Sequence, residues 1–147
     1  MVRIRFALDA PEHGWTTVRL ELDGRRIEFS ASAVPTDPVG DLVDALRSAL
    51  LGRSARVRWA LEPGSVTFDF APCAEGLCLV VSSVDHAGRI DETTAMECRS
   101  SAAVVALPLW RGLRRFASRA PAPPHWPAAD STAMDALTAL VQRLRAI

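Results

Sequence analysis

WTTVRLELDGRRIEFSA, residues 15–31, is two alternating segments hinged on Asp23-Gly24, the dipeptide that best tolerates the positive φ angles of a two-residue hairpin. Pairing Leu22 with Arg25 sets Leu20 opposite Ile27 and Val18 opposite Phe29 on one face. On the other face Glu21 meets Arg26 and Arg19 meets Glu28. Apolar side chains therefore meet apolar ones and opposite charges meet, each pair contributing about 0.2–1 kcal/mol. A one-residue slip would destroy both patterns together, so the register is strongly specified.

The same logic extends in both directions. Upstream, VRIRFAL (residues 2–8) points Val2, Ile4, Phe6 and Leu8 one way and Arg3 and Arg5 the other, as a half-buried strand does. Downstream, Asp37 can cap a helix from Pro38 to Leu51. Proline suits its first position, Asp41 and Asp44 favour its positive end, and Gly52 stops it. Val39, Leu42, Val43, Leu46, Ala49 and Leu50 form its apolar stripe, which needs an apolar sheet face to cover.

SARVRWALEPGSVTFDFA (residues 54–71) supplies more of that face. Around Pro63-Gly64 the expected pairs are Leu61 with Val66, Trp59 with Phe68 and Val57 with Phe70, with Arg58 opposite Asp69. Pro-Gly prefers a turn that splays strands, so a longer loop is compatible with this hairpin. CAEGLCLVVSSV (residues 73–84) then folds back about Glu75-Gly76, setting Phe70 opposite Val81 and Cys73 opposite Cys78. DHAG at 85–88 reads as a turn, and RIDETTAMEC (residues 89–98) as a last strand with a bulge.

From Ser101 the pattern is helical, with Val105, Leu109, Leu113 and Phe116 recurring at helical spacing and Pro108 expected to kink or restart the helix. APAPPHWPAAD (residues 120–130) is a proline-rich connection. A final helix, capped by Asp130 or Ser131, carries Met134, Leu137, Leu140, Val141 and Leu144. The expected architecture is one α+β domain over residues 1–147: an antiparallel meander of six to seven strands, with one inserted helix and two C-terminal helices on one face.

This order of elements, with FSASAVPTDPVGDLVDALRSALLG (residues 29–52) running into ARVRWALEPGSVTFDF (residues 55–70) and HWP (residues 125–127) before the last helix, resembles a family of small uncharacterised bacterial α+β proteins. The resemblance covers most of the chain and is structural; it transfers no catalytic residue. It associates such proteins with toxin-immunity neighbourhoods, so the implied partner is a cognate toxin or effector.

Composition limits the remaining classes. Forty-nine per cent hydrophobic residues with zero formal net charge excludes a disordered chain and gives no global pull toward nucleic acid or anionic membrane. Every basic side chain is arginine, a bias of GC-rich coding more than of guanidinium chemistry. No stretch reaches the roughly 18 apolar residues that span a bilayer, and the first residues lack a signal-like apolar core, so a cytoplasmic protein is expected. Three cysteines fit a reducing compartment.

Chemistry-bearing patterns are sparse. Cys73 and Cys78 form one loose C-x4-C pair; zinc would need further ligands from His86, His13 or His125 in distant loops, so no metal or cofactor is expected. The expected register places the two thiols where a cross-strand disulfide is feasible, while the reducing compartment favours free thiols. No G-x-S-x-G elbow, P-loop or G-x-G-x-x-G is present. Asp85, Asp91, Glu92 and Glu97 read as solvated carboxylates. In WRGLRRFASR (residues 110–119), Arg111, Arg114, Arg115 and Arg119 read as one helical face near Trp110, a phosphate site or, more simply, a solvated face.

The outward face of the sheet then carries the functional expectation: a field of mixed charge in which Arg19, Arg26, Arg56 and Arg58 select a partner, with Trp126 either docking that partner or plugging the last two helices. A non-enzymatic immunity-type protein is the first reading. A small enzyme with a loop-assembled site and a homodimerising accessory protein using a sheet edge are the alternatives.

Overall fold

A computed structural model describes residues 2–85 and 90–145, with side chains described outside 90–94. In chain order the elements are β1 (Ile4–Leu8), β2 (Trp15–Leu22), β3 (Arg25–Ser32), α1 (Pro38–Leu50), β4 (Ala55–Ala60), β5 (Ser65–Cys73), β6 (Gly76–Val84), β7 (Ile90–Ser100), α2 (Ala102–Ser118) and α3 (Ser131–Arg145). The strands form one seven-stranded antiparallel sheet in sequence order, so the α+β meander stands. Among the described residues no helix is long and apolar enough to cross a membrane.

The β2–β3 hairpin has the expected register, Leu22 with Arg25 through Val18 with Phe29, and Asp23 and Gly24 both take positive φ (49° and 87°). The next two hairpins keep their expected faces but are shifted by two residues. In β4–β5 the pairs are Trp59 with Val66, Val57 with Phe68 and Ala55 with Phe70, so Arg56, not Arg58, faces Asp69. Residues 61–64 all lie in the loop, where the Leu61 N–H donates to the Gly64 carbonyl at 3.0 Å.

In β5–β6, Cys73 faces Gly76 and Cys78 faces Ala71, with Phe70 opposite Leu79. Gly76 belongs to the strand and not to the turn. A Cβ there would stand 3.0 Å from the Ser100 carbonyl oxygen and from the Ala102 nitrogen, so the end of β7 can pass only over a glycine. The bulge expected in the last strand is present: between Val81↔Met96 and Ser83↔Asp91, β6 advances two residues while β7 advances five.

Asp37 caps α1 by accepting the Val39 N–H at 3.0 Å, and the helix closes with Gly52 N–H to Ala49 O and Arg53 N–H to Ser48 O, both at 3.0 Å. Its apolar stripe packs on β4 and β5. Helix α2 is one helix through Pro108, so of the expected kink or restart the restart does not occur, and it packs along β1 and onto β6 and β7. Helix α3 packs chiefly on α1 and α2, so the helices make two layers instead of one.

β3 and β4 join through a single pair, Ser32 with Ala60. The sheet therefore divides there, and the Arg25 side chain at the tip of the first hairpin reaches the Ala95 carbonyl of β7 at 3.0 Å. Phe6, Phe29, Trp59 and Phe68 fill the fold, with ring centroids 5.4–6.5 Å apart.

The seating of α2 on β1 sets the geometry of the outer surface. Backbone bonds from Asp9 to Thr17 and from Asp23 to Arg3 turn the groups of Arg3 and Asp9 toward β2, so alternation leaves those of Ile4, Phe6 and Leu8 on the open edge. α2 covers that edge: Arg119 donates to the Leu8 carbonyl at 2.6 Å, and a Cβ at position 112 would stand 3.0 Å from the Phe6 carbonyl oxygen and 2.5 Å from its ring. Gly112→Ala should therefore push α2 off β1 and destabilise the protein by about 1–3 kcal/mol, as overpacking does. Urea unfolding monitored by tryptophan fluorescence checks this, and an unchanged midpoint would refute the close approach.

Candidate functional site

The outward residues of β1, β2 and β3 alternate in sign, and the register brings them into two clusters. Glu21 lies between Arg5, at 3.6 Å, and Arg26, at 3.3 Å, a cluster with one net positive charge. Arg19 lies between Glu28, at 2.6 Å, and Asp9, with one net negative charge. The hydrogen bonds that Arg19 donates, that to Asp9 first, raise its pKa further above its ordinary value. The two clusters cancel each other, and Arg3, exposed on the same face beside Arg5 and Glu21, adds one positive charge with no ion pair among the described residues.

Helix α2 changes that balance. Arg111 and Arg115, one turn apart, stand with Pro108 along one wall of an open groove of about 820 Å³ whose floor is the face carrying Arg5, Arg19, Glu21, Arg26 and Glu28. Both are exposed, and neither has an ion-pair partner among the described residues. Their two neighbours in sequence are committed elsewhere: Arg114 lies over the Trp110 ring at 5.2 Å, and Arg119 holds the β1 edge. The four arginines expected on one solvated face thus divide into two that hold the structure and two that face the groove.

The remaining partner-binding candidates are not brought to this groove. Arg56 is paired with Asp69 at 2.6 Å on β4 and β5. Arg58 lines a separate recess with Val34, Pro35 and Glu62. Trp126 is 2% exposed; its Nε1–H donates to Asp37 Oδ1 at 2.9 Å and its ring meets Phe116 edge-on at 5.8 Å. Of the two roles open to it, it fills that of core plug.

His125 ties the same loop to the β1–β2 connection, accepting the His13 N–H on Nδ1 at 3.1 Å while its carbonyl accepts the Gly14 N–H at 2.8 Å. A cavity of about 90 Å³ lies between the three helices and the Trp126 loop, among Asp37, Val43, Phe116, Trp126 and Met134. Burial pushes the Asp37 carboxyl up, against hydrogen bonds from Gly40, Trp126 and Val39 that favour its charged form.

The three thiols are free. With Cys73 opposite Gly76, the cross-strand pairing on which a Cys73–Cys78 disulfide would rest is not formed. Cys78 donates to Glu97 at 3.5 Å, and burial raises its pKa; burial pushes Cys98 up to about 11. Raised thiols are poor nucleophiles. Glu97 is held below its ordinary range by Arg99, at 2.8 Å. Among the described residues no three His, Cys, Asp or Glu side chains gather to hold a metal ion; His86, and the side chains of Asp91 and Glu92, lie outside them. Compared with family models, curated proteins and solved structures, the chain finds no match in any of the three.

The raised Asp37 has a pH consequence. The folded protein holds this proton more tightly than the unfolded chain, so its contribution to stability is fully present below the unfolded carboxyl range and is lost as pH rises through the folded pKa. Asp37→Asn keeps the capping oxygen and removes the titration. The stability difference between wild type and Asp37→Asn, measured by urea unfolding, should favour wild type most below about pH 4 and shrink as pH rises toward neutrality. A difference that grows with pH would contradict the burial.

Proposed function

We propose that this protein is a non-enzymatic binding module that acts by occupying a partner protein, with the α2-walled groove as its contact surface. The observation that carries the reading is the charge balance: Arg5, Arg19, Arg26, Arg111 and Arg115 line the groove against two carboxylates, Glu21 and Glu28, and Arg111 and Arg115 have no ion-pair partner among the described residues. Protein recognition uses such a field, because complementary charge selects the partner and speeds encounter. Acid–base chemistry needs side chains that can change protonation near the working pH, and the groove offers guanidiniums and ion-paired carboxylates.

An immunity-type role, in which the partner is a bacterial toxin or effector met in the cytoplasm, is the specific form of this reading that the sequence resemblance suggests. The homodimer alternative would need an open sheet edge; α2 covers that of β1, which leaves the β7 edge as the place such a dimer would use.

The test is stoichiometry. A partner recovered by chemical cross-linking in the native cells and then purified should titrate to a fixed ratio in calorimetry, with no metal, cofactor or turnover. Arg19→Glu combined with Arg26→Glu should weaken that binding and reduce its salt dependence, while urea stability changes by only about 0.5 kcal/mol per site, as exposed substitutions do. A substoichiometric amount of protein that modifies or consumes the partner would overturn the module in favour of an enzyme.

A further inference from the structure

We infer that the groove takes an acidic segment of the partner, presenting two carboxylates about one helical turn apart to Arg111 and Arg115. The inference rests on the binding-module reading and narrows it to a chemical class.

The argument is one of spacing and compensation. Arg111 and Arg115 are four residues apart on α2, so their side chains leave the helix from points about 5–6 Å apart. Each guanidinium offers a planar fork of N–H donors that matches a carboxylate in bidentate fashion. Both are exposed, and neither has an ion pair among the described residues, so a ligand need not break an internal contact to reach them. The covered β1 edge holds this wall in place, because Gly112 seats the helix between the two arginines directly on Phe6.

The opposite wall sets the polarity of what enters. Glu28 and Asp9 make the cluster around Arg19 net negative, and Arg5 and Arg26 make the cluster around Glu21 net positive. A uniform polyanion such as a nucleic-acid backbone would lay phosphates against Glu28 as well as against the arginines. A protein segment can set carboxylates on Arg111 and Arg115 and a neutral or basic side chain near Glu28. The zero net charge of the whole chain gives no global pull toward a polyanion.

Two peptides and an oligonucleotide distinguish the cases. An alanine-rich helical peptide with two glutamates four residues apart should shift the side-chain Nε–Hε resonances of Arg111 and Arg115 in NMR titrations at low salt. The same peptide with glutamines should not. Arg111→Glu combined with Arg115→Glu should abolish the shifts that the glutamate peptide produces in the backbone amides around positions 108–115 while the amide spectrum stays folded, and should weaken binding of the cross-linked partner at least tenfold.

If a twelve-residue oligothymidylate shifts the two resonances as strongly as the glutamate peptide, the groove is a phosphate site and the inference fails. It fails also if neither peptide perturbs them, or if the partner binds the double variant unchanged. In those cases stoichiometric binding still supports the module, whereas catalytic modification of the partner removes the module itself.

Discussion

The contact between α2 and the backbone of β1 is the constraint on which the other features depend. An edge strand exposes unpaired N–H and C=O groups and tends to recruit another strand. Here Gly112 lets a helix lie against Phe6, and Arg119 satisfies the Leu8 carbonyl, so the edge is closed by the chain itself. The same contact holds Phe6 in the aromatic cluster with Trp59 and Phe68, which joins the two halves of a sheet linked elsewhere by one strand pair. Trp59 is fully buried and its Nε1–H has no hydrogen-bond partner among the described residues. An unpaired buried donor costs about 1–3 kcal/mol, so the ring contacts and apolar burial must offset that deficit.

How much of this was legible in the sequence follows from what periodicity can resolve. The β2–β3 hairpin was readable because Asp23-Gly24 fixes a two-residue loop and both faces of the register carry recognisable pairs. The β4–β5 and β5–β6 registers were misplaced by two residues because a strand repeats with period two. A two-residue slip returns every side chain to its own face, and apolar still meets apolar. Only the loops could have separated the alternatives, and Leu61–Gly64 and Gly76 are governed by contacts with distant segments, Val84 and Ser100 among them. The helices were legible from their caps and stripes. The second helical layer was not, since an apolar stripe does not say whether it faces a sheet or other helices.

The candidate site was half legible for the same reason. Alternation placed Arg19 and Arg26 on the outward face, and hairpin register gave each a carboxylate partner. Arg111 and Arg115 could be seen as basic positions of a helix but not as a wall beside those strands. That placement depends on α2 returning across almost the whole chain to β1, and the local signal for it is the small residue, Gly112, between the two arginines. Trp126 shows the opposite case. An aromatic residue in a stiff proline-rich loop is ambiguous by sequence, and its bond to the α1 cap, 89 positions away, makes it part of the core.

The paired charges and the unpaired ones have different physical meanings. Exposed ion pairs such as Arg5–Glu21 and Arg19–Glu28 contribute little to stability, because water screens them and two long side chains must be held in place. Their effect is to select the register and to offset most of the charge of the sheet face. The floor residues Arg5, Arg19, Glu21, Arg26 and Glu28 sum to one positive charge, and Arg111 and Arg115, in no ion pair among the described residues, add two more on the wall. Attraction of negative charge toward the groove is screened beyond the Debye length, about 8 Å at physiological ionic strength. In the proposed binding role this arrangement would separate encounter from fit: the wall would draw in negative charge, and the mixed charges of the floor would favour a partner whose own charges complement them.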